Sequence, residues 1–532
     1  MLTMMRAAYY WISVLLLAAI GTAYVFWHPI AWLLVLAVPY ILIGLYDINS
    51  RHNVLRNYPV IGHLRYMMEF ISPEIRQYFV ETNQSGRPFN REMRTLIYRR
   101  SKGDGDTLPF GTQQDITVQG YDFAYHSLAP RVPPEETARV TVGGPQCSRP
   151  YDASRLNVSG MSFGALSGNA ILALNRGALL GGFAHNTGEG GLSRYHLRHG
   201  GDIIWQIGTG YFGCRTPDGG FDPEQFREKA QLDAVKMVEI KLSQGAKPSH
   251  GGVLPGVKVN REIATARGVA PGEDCISPPA HSEFASPEGL LEFVARLREM
   301  SGGKPVGFKL CLGIRSEFLA ICKAMRSTGV LPDFITVDGA EGGTGAAPVE
   351  FTDNLGTPIN EGLAYVHSAL TGAGLRENIR LIASGKVATG FDMVIKHALG
   401  AELCNVARPM MFSIGCIQAL RCNTNTCPTG ITTQDPRRSR ALDVETKHVR
   451  VRNLHDATLG SFLDLTGALG HDDPDRLTPD LIWHRRTDGP AVTYAEIYSF
   501  LRPNQLLEGG SLPADWERDW RRADAGSFRP AA

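Results

Sequence analysis

The sequence predicts an α/β fold, a (β/α)8 TIM barrel preceded by an N-terminal transmembrane helical hairpin, and three observations carry that prediction. Short apolar, β-rich runs recur eight times between residues 155 and 409, and helical patterns separate most of them. Nearly every run ends in a glycine-rich or polar cluster, which suits a closed ring whose strand ends share one mouth better than an open sheet with one switch point. The head of the chain is a separate physical phase, because residues 1–50 carry only Arg6 and Asp47 as charged groups.

The hairpin comes first. Ala7 to Trp27 is a run of 21 uncharged residues, and at about 1.5 Å per helical residue it covers the roughly 30 Å of a hydrocarbon core. After His28 and Pro29, Ile30 to Tyr46 returns, with Pro39 as a kink and Trp11, Trp27, Trp32 and Tyr46 near the interfaces. A cleaved signal peptide would have a shorter apolar run and no second one behind it. Arg6, Arg51 and Arg56 flank the outer ends, whereas the connecting turn has no Lys or Arg. The expected location is therefore the cell membrane, crossed by two helices, with both termini and the catalytic body in the cytoplasm.

The barrel strands are expected at RLNVSG (155–160), GGFAHNTG (181–188), IIWQIGTG (203–210), MVEIKLSQG (237–245), VGFKLCLG (306–313), FITVDGAEGG (334–343), IRLIASGK (379–386) and ELCNVARP (402–409). Helical patterns at 223–235, 287–300, 315–327 and 390–399 fall between them. The gap from Ala246 to Lys304 is too long for one helix and is expected to cross over the mouth. This divides the chain into an anchor (1–50), a cytosolic region with no legible role (51–150), the barrel (151–435) and a C-terminal helical wrap and tail (436–532), with a helix over 440–469.

Lys and Arg number 54 against 53 Asp and Glu, a net charge of +1, so no basic field draws the chain onto nucleic acid. The nine cysteines of a reduced compartment are ligands, nucleophiles or packing, not a disulfide scaffold. Cys416, Cys422 and Cys427 have five and four residues between them in a loop rich in Asn, Thr and Pro, a spacing that lets three thiolates reach three corners of a small iron-sulfur cluster. Three structural cysteines would read the same way. Glu189 in GGFAHNTGEGG and Lys247 in QGAKP both follow strands and can face one another across the mouth, as a proton donor and a cation for a carboxylate or carbonyl substrate. The segments DGAEGGTGAAP (338–348) and SGKVATG (384–390) have the small residues of a phosphate-binding loop. Lys309, inside an apolar strand, must be paired or must serve a ligand, and a flavin would explain it.

SGMSFGALS (159–167), NTGEGG, QGAKP, ISPPAH (276–281), DGAEGGTGAAP and GCIQALRCNTNTCPTG (415–430) together closely resemble the FMN-binding synthase domain of the glutamate synthase large subunit, and the shorter single-chain members above all. The resemblance covers about residues 150–435. It implies a barrel holding FMN beside a [3Fe-4S] cluster, with electrons passing from cluster to flavin and on to 2-iminoglutarate, formed from 2-oxoglutarate and ammonia, to give glutamate. Carried over residue by residue, Cys416, Cys422 and Cys427 would bind the cluster, and Glu189 and Lys247 would be catalytic. Gln244, Ser249, His281 and Arg408 would meet substrate. Gly160, Met161, Ser162, Lys309, Asp338, Gly342, Gly343, Thr344, Gly345, Ser384, Gly385 and Lys386 would hold FMN.

The departures bear on substrate and partners. The family's glutaminase domain begins with a nucleophilic cysteine, whereas the first cysteine here is Cys147, so ammonia would come free or from a separate amidotransferase. Ser249, His250 and Val253 replace the Gly, Glu and Gln usual in the large enzymes, and Arg408 also differs. No convincing GxGxxG segment is present, so electrons would come from ferredoxin, an NAD(P)H-oxidising subunit or quinol. Two other readings stand beside glutamate synthesis: an FMN and Fe-S enzyme joining another amine, such as an N-alkylglutamate synthase, and a non-catalytic electron-transfer subunit.

Overall fold

The computed structural model describes residues 2–508 and 510–529. It contains two compact units, residues 1–92 and 93–532.

The first unit is helical. Helix α1 (Leu2–Phe26) leads through a 3-10 turn (His28–Leu33) to α2 (Leu34–Asn49), which continues through Pro39; α3 (Asn53–Asn57) and α4 (Gly62–Ile75) follow. Two stretches, Met5–Phe26 and His28–Asn49, are each 22 residues long and apolar enough to cross a membrane by length and composition. They touch where side chains permit it. A Cβ at Gly44 would lie 2.1 Å from the Tyr9 ring, so glycine is what lets Tyr9 seat against α2 and donate its hydroxyl to the Ile41 carbonyl at 2.5 Å.

In the second unit all eight apolar runs become strands of one closed parallel barrel. They are β1 (Leu156–Val158), β2 (His185–Asn186), β3 (Ile203–Ile207), β4 (Val235–Lys241), β5 (Val306–Leu310), β6 (Phe334–Asp338), β7 (Arg380–Ser384) and β8 (Leu403–Val406). Pairing of Cys404 with Leu156 and Val406 with Val158 closes the ring. Most strands are buried along their whole length, which is why they read as unbroken apolar runs and not as alternating ones. The expected helices form at Pro223–Ala230, Pro287–Met300, Arg315–Thr328 and Gly390–Ala398, the first ending five residues short of the expected 223–235 because Val235 already belongs to β4, and side chains of Asp222, Ser286 and Thr389 cap three of them.

An antiparallel hairpin, Arg139–Val142 with Tyr151–Ser154, plugs the N-terminal end of the barrel. Its Val140, Val142, Tyr151 and Ala153 share one core with Ala184, Ile204, Met237, Phe334, Ile382 and Leu403 from the strands. Part of the region with no legible role is thus the barrel floor. The expected excursion, Ala246 to Lys304, contains a small hairpin (Val253–Leu254 with Cys275–Ile276) and a helix, Arg261–Arg267, before the barrel helix Pro287–Met300. At the other end of the chain, helix Val444–Ala468 packs so closely on the barrel helices that a Cβ at Gly177 would meet Val451 at 2.6 Å. Farther on, Trp516 stacks on Tyr365 with ring centroids 4.3 Å apart.

Candidate active site

Strand β6 ends on Asp338, whose carboxylate gathers three parts of the mouth. Its Oδ1 accepts from Ser384 Oγ at the end of β7 (2.7 Å), and its Oδ2 accepts from the Gly245 amide in the loop after β4 (2.9 Å). The Lys309 ammonium of β5 lies 3.3 Å from the same Oδ2. Burial works against the Lys309 charge, but Asp338 and then Glu239 outweigh it and raise its pKa. Deeper in the barrel Glu239, fully buried, accepts from Asn186 Nδ2 (2.8 Å), Gln206 Nε2 (2.6 Å) and Thr336 Oγ1 (2.7 Å). Three donors make a dry carboxylate tolerable there. Neither Glu239 nor its donors belong to the expected site, although a carboxylate inside an apolar strand carries the same signal as Lys309.

Above this layer Glu189 borders a small recess together with, among others, Lys241, Gln244, Ser249, His250 and Pro278. Its direct partner is Lys241 Nζ at 2.9 Å, and Lys241 also donates to Gln244 Oε1 at 3.2 Å. The expected pairing of Glu189 with Lys247 is therefore corrected. Lys247 is buried and acts on Glu189 through the field, with no ion-pair partner among the described residues, and it does not border the recess. Burial works against the Glu189 charge, yet Lys241, Arg267 and Lys247 hold its pKa below the usual carboxylate range. Burial pulls Lys247 down to about 8, with Glu189 opposing and Lys241 assisting. At neutral pH Glu189 is thus a carboxylate and not the proton donor expected of it, while Lys247 sits near the pKa that suits proton exchange. Close backbone gives Glu189 its room: a Cβ at Gly252 would lie 2.6 Å from its Oε1, and one at Gly208 2.7 Å from its own Cβ.

The other expected residues divide. Ser249 borders the recess with a left-handed backbone (φ 56°), which costs a non-glycine residue energy. His281 does not border it, and this too is a correction. Its Nδ1 faces the Tyr211 hydroxyl (3.1 Å), its Nε2 faces the Lys241 carbonyl (2.9 Å), and burial lowers its pKa to about 4. Neutral and fully engaged, His281 supports the strand end that carries Lys241. Arg408 Nη2 donates to the Glu341 carbonyl (2.7 Å), and its side chain lies along Gly343, where a Cβ would be 3.2 Å from Cδ.

Around the mouth, Gly160, Met161 and Ser162 pack against the turn holding Glu189. Met161 N donates to Asn186 O (3.1 Å), and a Cβ at Gly160 would be 3.2 Å from Gly188 Cα. Gly342, Gly343, Thr344 and Gly345 form the loop after β6, and Gly345 faces the Cys422 carbonyl, 4.0 Å from where its Cβ would be. Gly385 and Lys386 follow β7 with positive φ (148° and 49°). Among the described residues two buried polar atoms here have no partner, Gln244 Nε2 beside the recess and Asn405 Oδ1. Asn405 is in register with Ser384, and Ser384 with Asp338, so the orphan acceptor lies in the barrel layer just below the mouth. A polar cofactor over this layer fits the Asn405 orphan and the glycine cradle.

Cys416, Cys422 and Cys427 share one loop and feel one another's charge, but among the described residues no group of three His, Cys, Asp or Glu stands close enough to hold a metal ion. The donor set nonetheless suits a cluster. Gln418 N points at Cys416 Sγ (3.5 Å), Thr429 Oγ1 lies 3.4 Å from Cys427 Sγ, and the buried Lys258 acts on Cys422 and Cys427. Burial opposes the Cys427 thiolate, yet Thr429 and Thr432 bring its pKa to about 7. Lys258 escaped the sequence reading because it lies far from the cysteines in the chain.

Fold and site define a (β/α)8 barrel with its chemistry at the C-terminal mouth. The conserved region in glutamate synthase matches residues 142–472, and the chain belongs to the glutamate synthase family, a family of oxidoreductases. It is 37% identical over 503 residues to the glutamate synthase large subunit-like protein YerD of Bacillus subtilis, covering 86% of this chain and 95% of that one. It is also 37% identical over 314 residues to the archaeal glutamate synthase [NADPH] of Methanocaldococcus jannaschii, covering 59% and 58%. The chain therefore spans little more than half of that archaeal enzyme. Among solved structures, a mandelate oxidase complex overlays with TM-score 0.39 at 16% identity, covering 66% of this chain and 84% of that one. A flavocytochrome b2 variant overlays with TM-score 0.41 at 14% identity, covering 84% and 92%.

Proposed function

We propose that this protein is a membrane-anchored, glutamate-synthase-like flavoprotein that reduces 2-iminoglutarate, formed from 2-oxoglutarate and ammonia, to glutamate with electrons from an external donor. The observation that carries the reading is the charge arrangement around the recess: the Lys241–Glu189 pair and the orphan amide of Gln244 border it, and the buried Lys247, with no ion-pair partner among the described residues, acts on Glu189 through the field. An α-imino diacid asks for these groups, cations for its carboxylates and a proton source for its nitrogen.

FMN fits the layer of Ser384, Asp338 and Lys309 with the loops at Gly342–Gly345 and Gly385–Lys386, and when bound it supplies hydride to the imine carbon. In this reading Gln244 holds the substrate carboxylate, and the buried Lys247 adds positive charge through the field. Glu189, as a carboxylate, fixes Lys241 with its proton turned toward the recess, where the substrate nitrogen would take it up. Lys309, tied to Asp338, would supply positive charge to the reduced cofactor. Cys416, Cys422 and Cys427 would hold a [3Fe-4S] cluster, and the approach of Gly345 to Cys422 supports a short path between the two groups. The apolar helices α1 and α2 would anchor the enzyme in the cell membrane with the barrel in the cytoplasm.

The test is an anaerobic absorption spectrum of the purified protein, reduced with dithionite and then mixed with 2-oxoglutarate and ammonium. Return of oxidised flavin bands with formation of glutamate is the expected result; a colourless protein, or reduced flavin indifferent to both compounds, overturns it. A second reading rests on Ser249 and His250, which border the recess on the side of Gln244. Under it an alkylamine replaces ammonia and the product is an N-alkylglutamate, which chromatography of the products from candidate amines would reveal.

A further inference from the structure

Helix α4 carries an apolar stripe that nothing in the barrel chemistry uses. Leu64, Met67, Met68, Ile71 and Ile75 recur at i, i+3, i+4, i+7 and i+11, so they share one face. That face is open: Leu64 is 53% exposed, Met67 51%, Met68 45% and Ile75 40%, and Phe79 just beyond the helix is 86% exposed. A continuous apolar face of this kind marks an interaction surface.

Its position says what it meets. The only two charged residues of the first fifty, Arg6 and Asp47, lie at the same end of the α1–α2 pair, and both hold the chain that enters α4. Arg6 Nε donates to the Arg56 carbonyl (2.7 Å) and its Nη2 to Asn57 Oδ1 (2.9 Å). Asp47, fully buried, accepts from the Val60 amide (2.8 Å) and from His63 Nε2 (2.8 Å) in the first turn of α4. These bonds pin α4 at the level where the two apolar helices end. The opposite face pairs Arg65 with Glu69 at 2.8 Å, and Arg76 lies 3.9 Å from Glu81, so the helix offers little net charge.

We propose that α4 lies in the plane of the membrane, its stripe sunk into the headgroup and acyl boundary of the leaflet at the base of the hairpin, held by apolar burial and not by attraction to anionic lipid. This rests on the reading of α1 and α2 as membrane spans.

The test uses the full chain in phosphatidylcholine vesicles whose acyl chains carry bromine, with Met68→Trp on the stripe and Glu69→Trp on the polar face, each compared with the parent protein. Added emission from Met68→Trp should be quenched by bromine at least twofold more than that from Glu69→Trp, and acrylamide should reach it less. Including phosphatidylglycerol should leave the ratio unchanged. Equal quenching of the two variants overturns the proposal, as does a Trp at position 68 shielded from both quenchers, which would place another part of the chain or a second copy on the stripe. A ratio that grows only with anionic lipid overturns the apolar mode of binding. If Met68→Trp does not fold, Leu64→Trp reads the same face. Flotation after alkaline washing separates the two readings: protein stripped from the vesicles refutes the hairpin, whereas protein that floats with a water-exposed stripe refutes only the placement of α4.

Discussion

Glu189 faces Lys241 at 2.9 Å, not Lys247, and that contact helps hold Glu189 as a carboxylate. A carboxylate clamped to one ammonium stays ionised, and its field keeps a second ammonium, Lys247, from losing its proton still lower on the pH scale.

Lys247 should show itself in a pH profile. Burial depresses its pKa from the usual lysine range to about 8, so the charged form is lost as pH rises through that value. Steady-state kinetics should show kcat/KM for 2-oxoglutarate level below pH 7 and falling about tenfold per unit above 8. Lys247→Met should raise KM roughly a hundredfold with flavin still bound.

Glu189→Gln should lower kcat by about a hundredfold, the scale of a lost proton-transfer arrangement. It should also move the Lys247 transition to lower pH, because the negative charge that raises that pKa is gone. A profile unchanged in midpoint would mean the two groups do not communicate.

The loop after β4 tolerates no side chain at Gly245, where a Cβ would lie 1.7 Å from the Gly339 carbonyl oxygen. Gly245→Ala should cost about 3 kcal/mol by overpacking backbone against backbone. Gly460→Ala, on an exposed face of helix Val444–Ala468 with nothing within 4 Å, should instead add roughly 0.5–1 kcal/mol. Thermal melts of the two variants should therefore move in opposite directions.

Cys422→Ser should remove iron and acid-labile sulfide while leaving the flavin spectrum in place. Reduction by an external donor should be lost, and photoreduced flavin should still support one turnover.

Much of this architecture was legible in the chain. Seven of the eight strands fall inside one of the apolar runs and β4 starts two residues ahead of its run, since a parallel strand buried on both sides needs an unbroken run and the turn after it needs glycine or a polar group. The plug at Arg139–Val142 and Tyr151–Ser154 was not, because a short hairpin has no periodicity to set it apart from loop. Within the site, Lys309 stood out as a charge in an apolar strand, and the same logic applied to MVEIKLSQG would have found Glu239 and Lys241. His281 was over-read in the other direction. Its motif placed it near substrate, but only coordinates reveal that both ring nitrogens are already engaged by Tyr211 and the Lys241 carbonyl.

Strands β4 and β5 lie side by side, with Val306 against Val238 and Lys309 against Lys241, although the whole of 242–305 is threaded between them. The barrel therefore cannot zip up in chain order at this seam. Contacts distant in sequence must pay their loop-closure entropy before the sheet rewards them, so assembly of the catalytic mouth and completion of the ring should be one late, shared event, and a protease cut in the excursion should slow refolding far more than it loosens the finished molecule.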